Sequence, residues 1–468
     1  MPDALRRGRR LRALLAAAVL ATAAGVGILS PAALAATPPG GAPYAVPAAG
    51  TYYPTEVQRL LGSGAGYPLS ADTDVTVPVV GQGALPSAGI SAAVVNVTAS
   101  AGPSGAMFGA GGTPSASQTP MVTVPPDATV STLLTVPLGT SGSFDLHAVG
   151  GPVAVTADLV GFYASDDTIV ASRGVSGGYQ PADPVRLYDS QPAARRSVFD
   201  LSAGPADGPL AAPTAGPVAP TGQTSLRVDL GRGVAAHVVA LALRVSAVAP
   251  SAAGALTVWG DGARPQLSTV SYATGRPATN LAVVPVQAGP DGGLDVELAN
   301  SGSAAVDVTV DLVGFYDDGG LGPNLRFRPL TPTRVVDSSS RVGTAALATD
   351  TPATLLAPSG VAGDSTVALV GVLTAVSPTS ATEVTLWPHG ADQPEIVDLQ
   401  APAGVTTSVA VQPELDPTNA LDLATTTGPT QLRFDVTGSF EAFPPVTNPA
   451  LKGWVHVLSS WQVSAVAR

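Results

Sequence analysis

Asp158-Leu159-Val160-Gly161-Phe162-Tyr163 returns as Asp311-Leu312-Val313-Gly314-Phe315-Tyr316 and, altered, as Asp435-Val436-Thr437-Gly438-Ser439-Phe440. A hexad recurring at such intervals marks a repeat architecture. Other markers keep the same order around it. Tyr52-x-Pro54, Tyr179-x-Pro181 and Phe327-x-Pro329 each place their aromatic seven residues before an arginine. Those arginines open Arg59-Leu60-Leu61-Gly62-Ser63, Arg186-Leu187-Tyr188-Asp189-Ser190 and Arg334-Val335-Val336-Asp337-Ser338. Mid-unit, Leu256-Thr257-Val258-Trp259 matches Val384-Thr385-Leu386-Trp387, with Ala106-Met107-Phe108 a degraded copy. Opening and closing aromatics stand 111, 137 and 113 residues apart, so the second unit carries an insertion.

The closing segments alternate with a period of two. Val306, Val308, Val310, Leu312, Gly314 and Tyr316 fall on one face, and Asp307, Thr309 and Asp311 on the other. Leu432, Phe434, Val436, Gly438 and Phe440 repeat the pattern, as do Val153, Val155, Ala157, Leu159, Gly161 and Tyr163. Such alternation marks a strand with one buried face. Glycine on that face indicates a bulge or a close backbone approach. Further apolar or β-branched runs at 92–97, 238–248, 280–286 and 367–376 are separated by Pro-, Gly- and Ser-rich turns. Many short strands in units of about 110 residues predict an all-β chain of three tandem β-sandwich repeats, jelly-roll or immunoglobulin-like, or a related barrel.

The expected boundaries are a signal peptide at 1–35, a flexible lead-in at 36–51, repeats at 52–165, 178–317 and 326–444, and a tail at 445–468 with some strand character. The Ala-, Pro- and Gly-rich stretch 193–222 reads as an extended surface loop of the second repeat. Connectors near 165–178 and 317–326 are short, so neighbouring units should touch or lie end to end.

Arg6, Arg7, Arg9, Arg10 and Arg12 precede an uncharged apolar run at 13–28 and an Ala33-Leu34-Ala35 cleavage site. This is the pattern of a cleaved secretory signal; the competing reading is an uncleaved anchor. Arg9-Arg10 fits a twin-arginine signal poorly, which favours the general secretory route. Removing 1–35 takes away five arginines and one aspartate and leaves 17 basic and 33 acidic side chains, a net charge of −16. That balance disfavours nucleic acid and anionic membrane surfaces. Residues 367–376 are too few to span a bilayer, and the tail carries no sortase-type signal. With no cysteine, disulfides, thiolate metal sites, a lipobox and a cysteine nucleophile are excluded. Hydrophobic residues make up 45% of the 468 and charged ones 12%, which permits sizeable cores. With 52 Gly and 45 Pro spread along the chain, long helices are not expected.

These markers resemble a tandem repeat of secreted and wall-associated actinobacterial proteins. Its copies open with an aromatic-x-Pro and a Pro-Thr-Arg-Leu-Leu-Asp-Thr-like strand and close on an Asp-Val-Ala-Gly-Tyr-Tyr-like motif. Pro332-Thr333-Arg334-Val335-Val336-Asp337-Ser338 is similar to that opening, Asn96-Val97-Thr98 to the middle strand, Thr279-Asn280-Leu281 to a later one, and the hexads to the close. The resemblance covers about residues 52–444. It implies a repeat that occurs alone or appended to secreted hydrolases, with no catalytic residues ascribed to it, and it sharpens the class more than the ligand. Gly62 departs from the opening aspartate, and the third hexad lacks the tyrosines.

Little in the chain suggests bond-making chemistry. His147, His237, His389 and His456 lie in different units or in the tail, at positions that do not correspond between repeats. They lack the close spacing of a zinc site. No phosphate loop is present, and the one Gly-x-Ser-x-Gly string, Gly174-Val175-Ser176-Gly177-Gly178, lies in the connector near 165–178 and not between a strand and a helix pattern. Asp166-Asp167, Asp317-Asp318 and Asp72-x-Asp74 are carboxylate pairs of the kind that hold calcium at junctions, or else solvated turn residues. One constellation recurs in every unit: Arg59 with Asp158, Arg186 with Asp311, and Arg334 with Asp435. These pairs are expected to bridge first and last strands bidentately; the alternative is unrelated surface charges. Trp259 and Trp387 fall on the face opposite Val258 and Leu386, where they would stack on sugars or pack under a neighbour. Trp454 and Trp461 in the tail would dock on the third unit or serve a partner strand.

The expectation is a secreted or wall-associated, non-catalytic binding or spacer protein for a cell-wall polymer, glycan or extracellular protein. It needs no cofactor, and calcium is the one ion weighed. The alternatives are a carbohydrate-binding array using exposed Trp259 and Trp387, and a cryptic hydrolase.

Overall fold

The valine-rich closing segments form strands that bury side chains on both faces. In the computed structural model, which describes residues 49–117, 119–169, 176–191, 216–260, 262–445 and 463–467, the chain is all-β and built from small antiparallel sheets. The signal peptide and nearly all of the lead-in lie outside the described residues, as do 192–215, His456, Trp454 and Trp461.

Each predicted unit contributes an inner and an outer row of strands in the same order. The inner row of the first unit runs Tyr52–Leu61, Val153–Ala164, Ile90–Ala101, Thr129–Pro137. That of the second runs Gly178–Asp189, Asp307–Asp317, Val238–Val248, Ala278–Pro285. That of the third runs Asn324–Asp337, Gln431–Phe443, Thr366–Val376, Thr407–Val411. The outer rows are Asp74–Pro78, Ser143–Val149, Ala106–Gly111, Val122–Val124; then Gln223–Asp229, Leu294–Asn300, Gly254–Trp259, Val270–Tyr272; then Ala353–Leu356, Ala420–Thr425, Thr382–Pro388, Leu399–Ala401. Each inner row and its outer row enclose one apolar cluster drawn from both.

A fourth cluster joins all three units. It holds the opening aromatics Tyr52, Tyr179 and Phe327 and the closing aromatics Tyr163, Tyr316 and Phe440. The closing rings form a triangle with centroid separations of 6.4, 6.4 and 6.2 Å. Each opening ring packs on the closing ring of the next unit: Tyr52 on Tyr316 at 4.7 Å, Tyr179 on Phe440 at 4.2 Å, Phe327 on Tyr163 at 4.2 Å. Backbone pairing follows the same cycle. Tyr52 pairs with Gly177 and Tyr179 with Leu325, while the Phe327 N–H donates to the Gly50 carbonyl at 2.8 Å. The units therefore close in a ring about the aromatic cluster rather than lying end to end. Gly50 and Thr51, expected in a flexible lead-in, belong to that ring, and Thr51 is buried.

Strict alternation fails inside the hexads. Val94 pairs with Gly161 and Val95 with Leu159, so Val160 is an extra residue; Val313 and Thr437 are extra in the same way. This bulge shifts the phase. Phe162 and Phe315 turn into their own units' cores, while Tyr163, Tyr316 and Phe440 turn outward to the shared cluster. The expectation that the last aromatic shares the valine face is corrected accordingly. The glycine has a second reason. A Cβ on Gly161, Gly314 or Gly438 would stand 2.3–2.5 Å from the nearest side-chain atom of Tyr52, Tyr179 or Phe327.

In the described part of the predicted surface loop one residue anchors to the core: Val218 is buried and pairs with Val306, while 216–217 and 219–221 are exposed. The tail, where some strand character was expected, forms the strand Ser464–Ala467, which adds to Gln223–Asp229 of the second unit.

Gly314→Ala should cost about 2 kcal/mol in urea unfolding, because the methyl group forces an overpacked core. Gly64→Ala, where the added carbon meets nothing within 4 Å, should change stability by less than about 0.5 kcal/mol.

Candidate functional site

Residue 59 lies directly across the ladder from 158, residue 186 from 311, and residue 334 from 435. Arg59 donates from Nε at 2.5 Å and Nη2 at 3.1 Å to the two oxygens of Asp158. Arg334 grips Asp435 at 2.9 and 3.1 Å. Arg186 donates to Asp311 from Nε and to Asp189 from Nη1 at 3.1 Å. Asp337 lies 3.6 Å from Arg334, but Gly62 leaves the first unit without this further carboxylate. The three aspartates are only 2%, 2% and 0% exposed. Burial pushes Asp158, Asp311 and Asp435 above the usual carboxylate range, and the hydrogen bond and charge of each arginine pull only part of the way back. The carboxylates in turn raise Arg186 and Arg334 against their own burial, so each pair stays joined, and its placement directly across the ladder fixes strand register.

The arginines also cross between units. Arg59 Nη2 donates to the Gln266 carbonyl at 3.1 Å, and Arg334 Nη2 to the Pro120 carbonyl at 2.8 Å. Opposite the same aspartates, on the middle strands, stand Asn96, Arg244 and Val372. Each meets a neighbouring unit with different chemistry. Asn96 donates to the Ser268 carbonyl at 2.8 Å, Arg244 pairs with buried Asp398, and Val372 enters the first unit's apolar cluster. Beside them runs a repeated hydroxyl pair, Thr98–Ser131, Ser246–Thr279 and Thr374–Ser408, at 3.0, 2.8 and 2.8 Å. Asn96, Thr98 and Thr279 stood in segments already marked in the sequence, but Arg244 and Val372 replace the amide at the first position, so the first set was not legible as a motif.

Trp259 and Trp387 are 7% and 5% exposed. The face that alternation assigned them is covered, so neither offers an open stacking platform. Trp259 instead walls a hollow of about 590 Å³ under the loop 260–268, with the Arg264 guanidinium 5.9 Å from its ring centroid. On the other side of that loop lies a second hollow of about 580 Å³. Its floor is the first unit's inner row, with Thr98, Ser100, Thr129 and Thr156. Its opposite wall comes from the second unit, with Arg264, Ser268 and Ser301.

The described histidines each meet one aspartate in a separate unit: His147 with Asp74 at 3.0 Å, His237 with Asp318 at 2.9 Å, His389 with Asp422 at 2.9 Å. Ser117 and Thr354 donate to Asp74 and Asp422, so the hydroxyls sit on the carboxylates. A nucleophile of the triad type would instead face the far imidazole nitrogen. The acidic pairs do not converge. Asp317 accepts from Gln180 at 2.9 Å and from the Gly319 amide, and Asp166 is exposed and accepts from Ser165. Among the described residues no group of three His, Cys, Asp or Glu side chains is placed to hold a metal ion.

No family model and no curated protein matches the chain. Among solved structures, a chain from the atomic structure of Sulfolobus turreted icosahedral virus is similar at 8% identity and a TM-score of 0.17, covering 84% of this chain and 95% of that one. A likeness at that score carries no argument about fold or function.

Asp435→Ala should lower stability by about 3–5 kcal/mol, since it strands a part-buried guanidinium, whereas replacing Arg334 and Asp435 together by Met and Leu should cost far less. Urea midpoints of the two variants decide this. His389 is held above the ordinary imidazole value by its hydrogen bond to Asp422. The stability it contributes is complete below the unfolded value of 6.5 and lost as pH rises through the folded one. Titration of its ring proton by NMR should give a midpoint above 6.5 that falls in Asp422→Asn.

Proposed function

We propose that the chain is an exported, non-catalytic binding scaffold of the bacterial cell envelope, built as three jelly-roll sandwiches closed in a ring, that takes a hydroxyl-rich polymer such as a wall glycan between its first and second units. The recurring strand order, with first strand beside last and the middle strand beyond, favours jelly-roll over immunoglobulin connections. The repeat markers support membership of the actinobacterial family they resemble, and the Arg-rich leader supports export.

The observation that carries the reading is the paired hollow astride the loop 260–268. Its hydroxyl side chains, spaced by the pleat of a sheet, suit the alternating donors and acceptors of a sugar chain. Arg264 reaches both hollows and gives one cationic contact. Rigid strands under the ligand reduce the ordering cost of binding. In the stacking alternative Trp259 would join from the wall of the second hollow rather than from an open surface.

The secreted chain should be retained on purified cell wall or on one polysaccharide of a panel, equally with and without calcium. Thr156→Trp, which fills the groove floor, should weaken retention at least about ten-fold, on the order of 1.4 kcal/mol. Equal retention of that variant, or no retention of the wild type on any polymer, would refute the glycan site and leave a spacer role.

A further inference from the structure

The second unit's outer row has a fifth strand, and the described residues of the other two units place none at the equivalent edge. Ser464–Ala467 runs antiparallel to Gln223–Asp229, pairing Asp229 with Ser464, Val228 with Ala465, Arg227 with Val466 and Leu226 with Ala467. Asp74–Pro78 and Ala353–Leu356, the corresponding strands, end their rows. The addition also plugs a core: Val463 is 2% and Ala465 9% exposed within the second unit's apolar cluster.

The donor is remote in sequence from the edge it covers. The third unit's closing strand ends at Phe443 and the donor segment starts at Val463. Nineteen residues lie between them, a contour of roughly 60 Å when extended. The contact itself is a short ladder and small apolar plugs, all of which another copy of the chain supplies identically. Binding in place and binding from a second copy therefore differ only in effective concentration. An edge strand left open is a template for just such pairing.

We propose that the edge of Gln223–Asp229 is a strand-exchange site whose partner is the 463–467 segment of a second copy of this chain. At high local concentration, as on a surface, one molecule's tail occupies its neighbour's second unit. The coupling is independent of the glycan groove.

The absence of cysteine makes engineered thiols the only ones present. Asp229→Cys protein is mixed with Ser464→Cys protein, unfolded, refolded together over a range of concentrations, oxidised and run without reductant. A disulfide-linked heterodimer is expected to rise with concentration, at least five-fold above a mixture of Ser464→Cys with the exposed Gly64→Cys. The double variant D229C/S464C should crosslink within one chain when dilute. Val463→Asp added to the Ser464→Cys partner should abolish the heterodimer. A heterodimer no more abundant than the Gly64→Cys control, a double variant that never closes internally, or a heterodimer that survives Val463→Asp would each overturn the proposal.

Discussion

Six aromatic rings on one axis constrain the rest of this molecule. Each opening ring lies against its own unit's hexad glycine and on the next unit's closing ring, so a single contact fixes strand register within a unit and docking between units. Aromatic pairs contribute about 0.5–1.5 kcal/mol each beyond the area they bury. Because the contacts run in a cycle, the third unit returns to the first, and every ring has a partner. The bulge before the glycine is a consequence. Without the extra residue the closing aromatic would point into its own unit's core, and the ring of units would have nothing at its centre.

The polar chemistry follows from that closure. Once the units surround the axis, the aspartate face of each closing strand is covered, and its carboxylates need buried partners. The opening-strand arginines meet that need, and two of them, Arg59 and Arg334, reach on to a backbone carbonyl of an adjoining unit. The seams differ at one equivalent position, an amide in the first, an ion pair in the second, an alkyl group in the third, so a unit docked on the wrong neighbour would leave Arg244 or Asp398 unpaired. The missing tyrosines of the third hexad fit the same frame. Tyr163 and Tyr316 share a hydrogen bond of 2.7 Å at the centre, and burial raises both, Tyr316 to about 12. Phe440 adds no further hydroxyl to a dry cluster with few acceptors to offer it.

The repeat, the all-β class and the arginine–aspartate pairs were legible because each is written in residues that recur at fixed spacing. Asp158, Asp311 and Asp435 each follow the same aromatic-to-arginine interval and precede the same glycine. The ring was not legible, although its aromatics were among the markers. Period-two alternation places Tyr316 with Val310, and only the bulge at Val313 reverses it. The seams were hidden for another reason: Asn96 stood in a marked segment, but Arg244 and Val372 share its position and not its chemistry, so no motif flags the set. Trp259 and Trp387 show the limit of alternation in a multi-unit protein. It separates the faces of a strand and cannot tell which of them a neighbouring unit covers. The groove arises where one unit's loop leans over another's sheet, a juxtaposition that no local pattern records.

Hydrogen–deuterium exchange on Phe440→Ala tests the central constraint most directly, because the substitution removes one ring of the third unit's contribution to the axis. If the units stand or fall through the aromatic cluster, protection should drop together in the closing strands of all three, including Val153–Ala164 of the first. Loss confined to strands between 324 and 443, with the first and second units as protected as before, would contradict it.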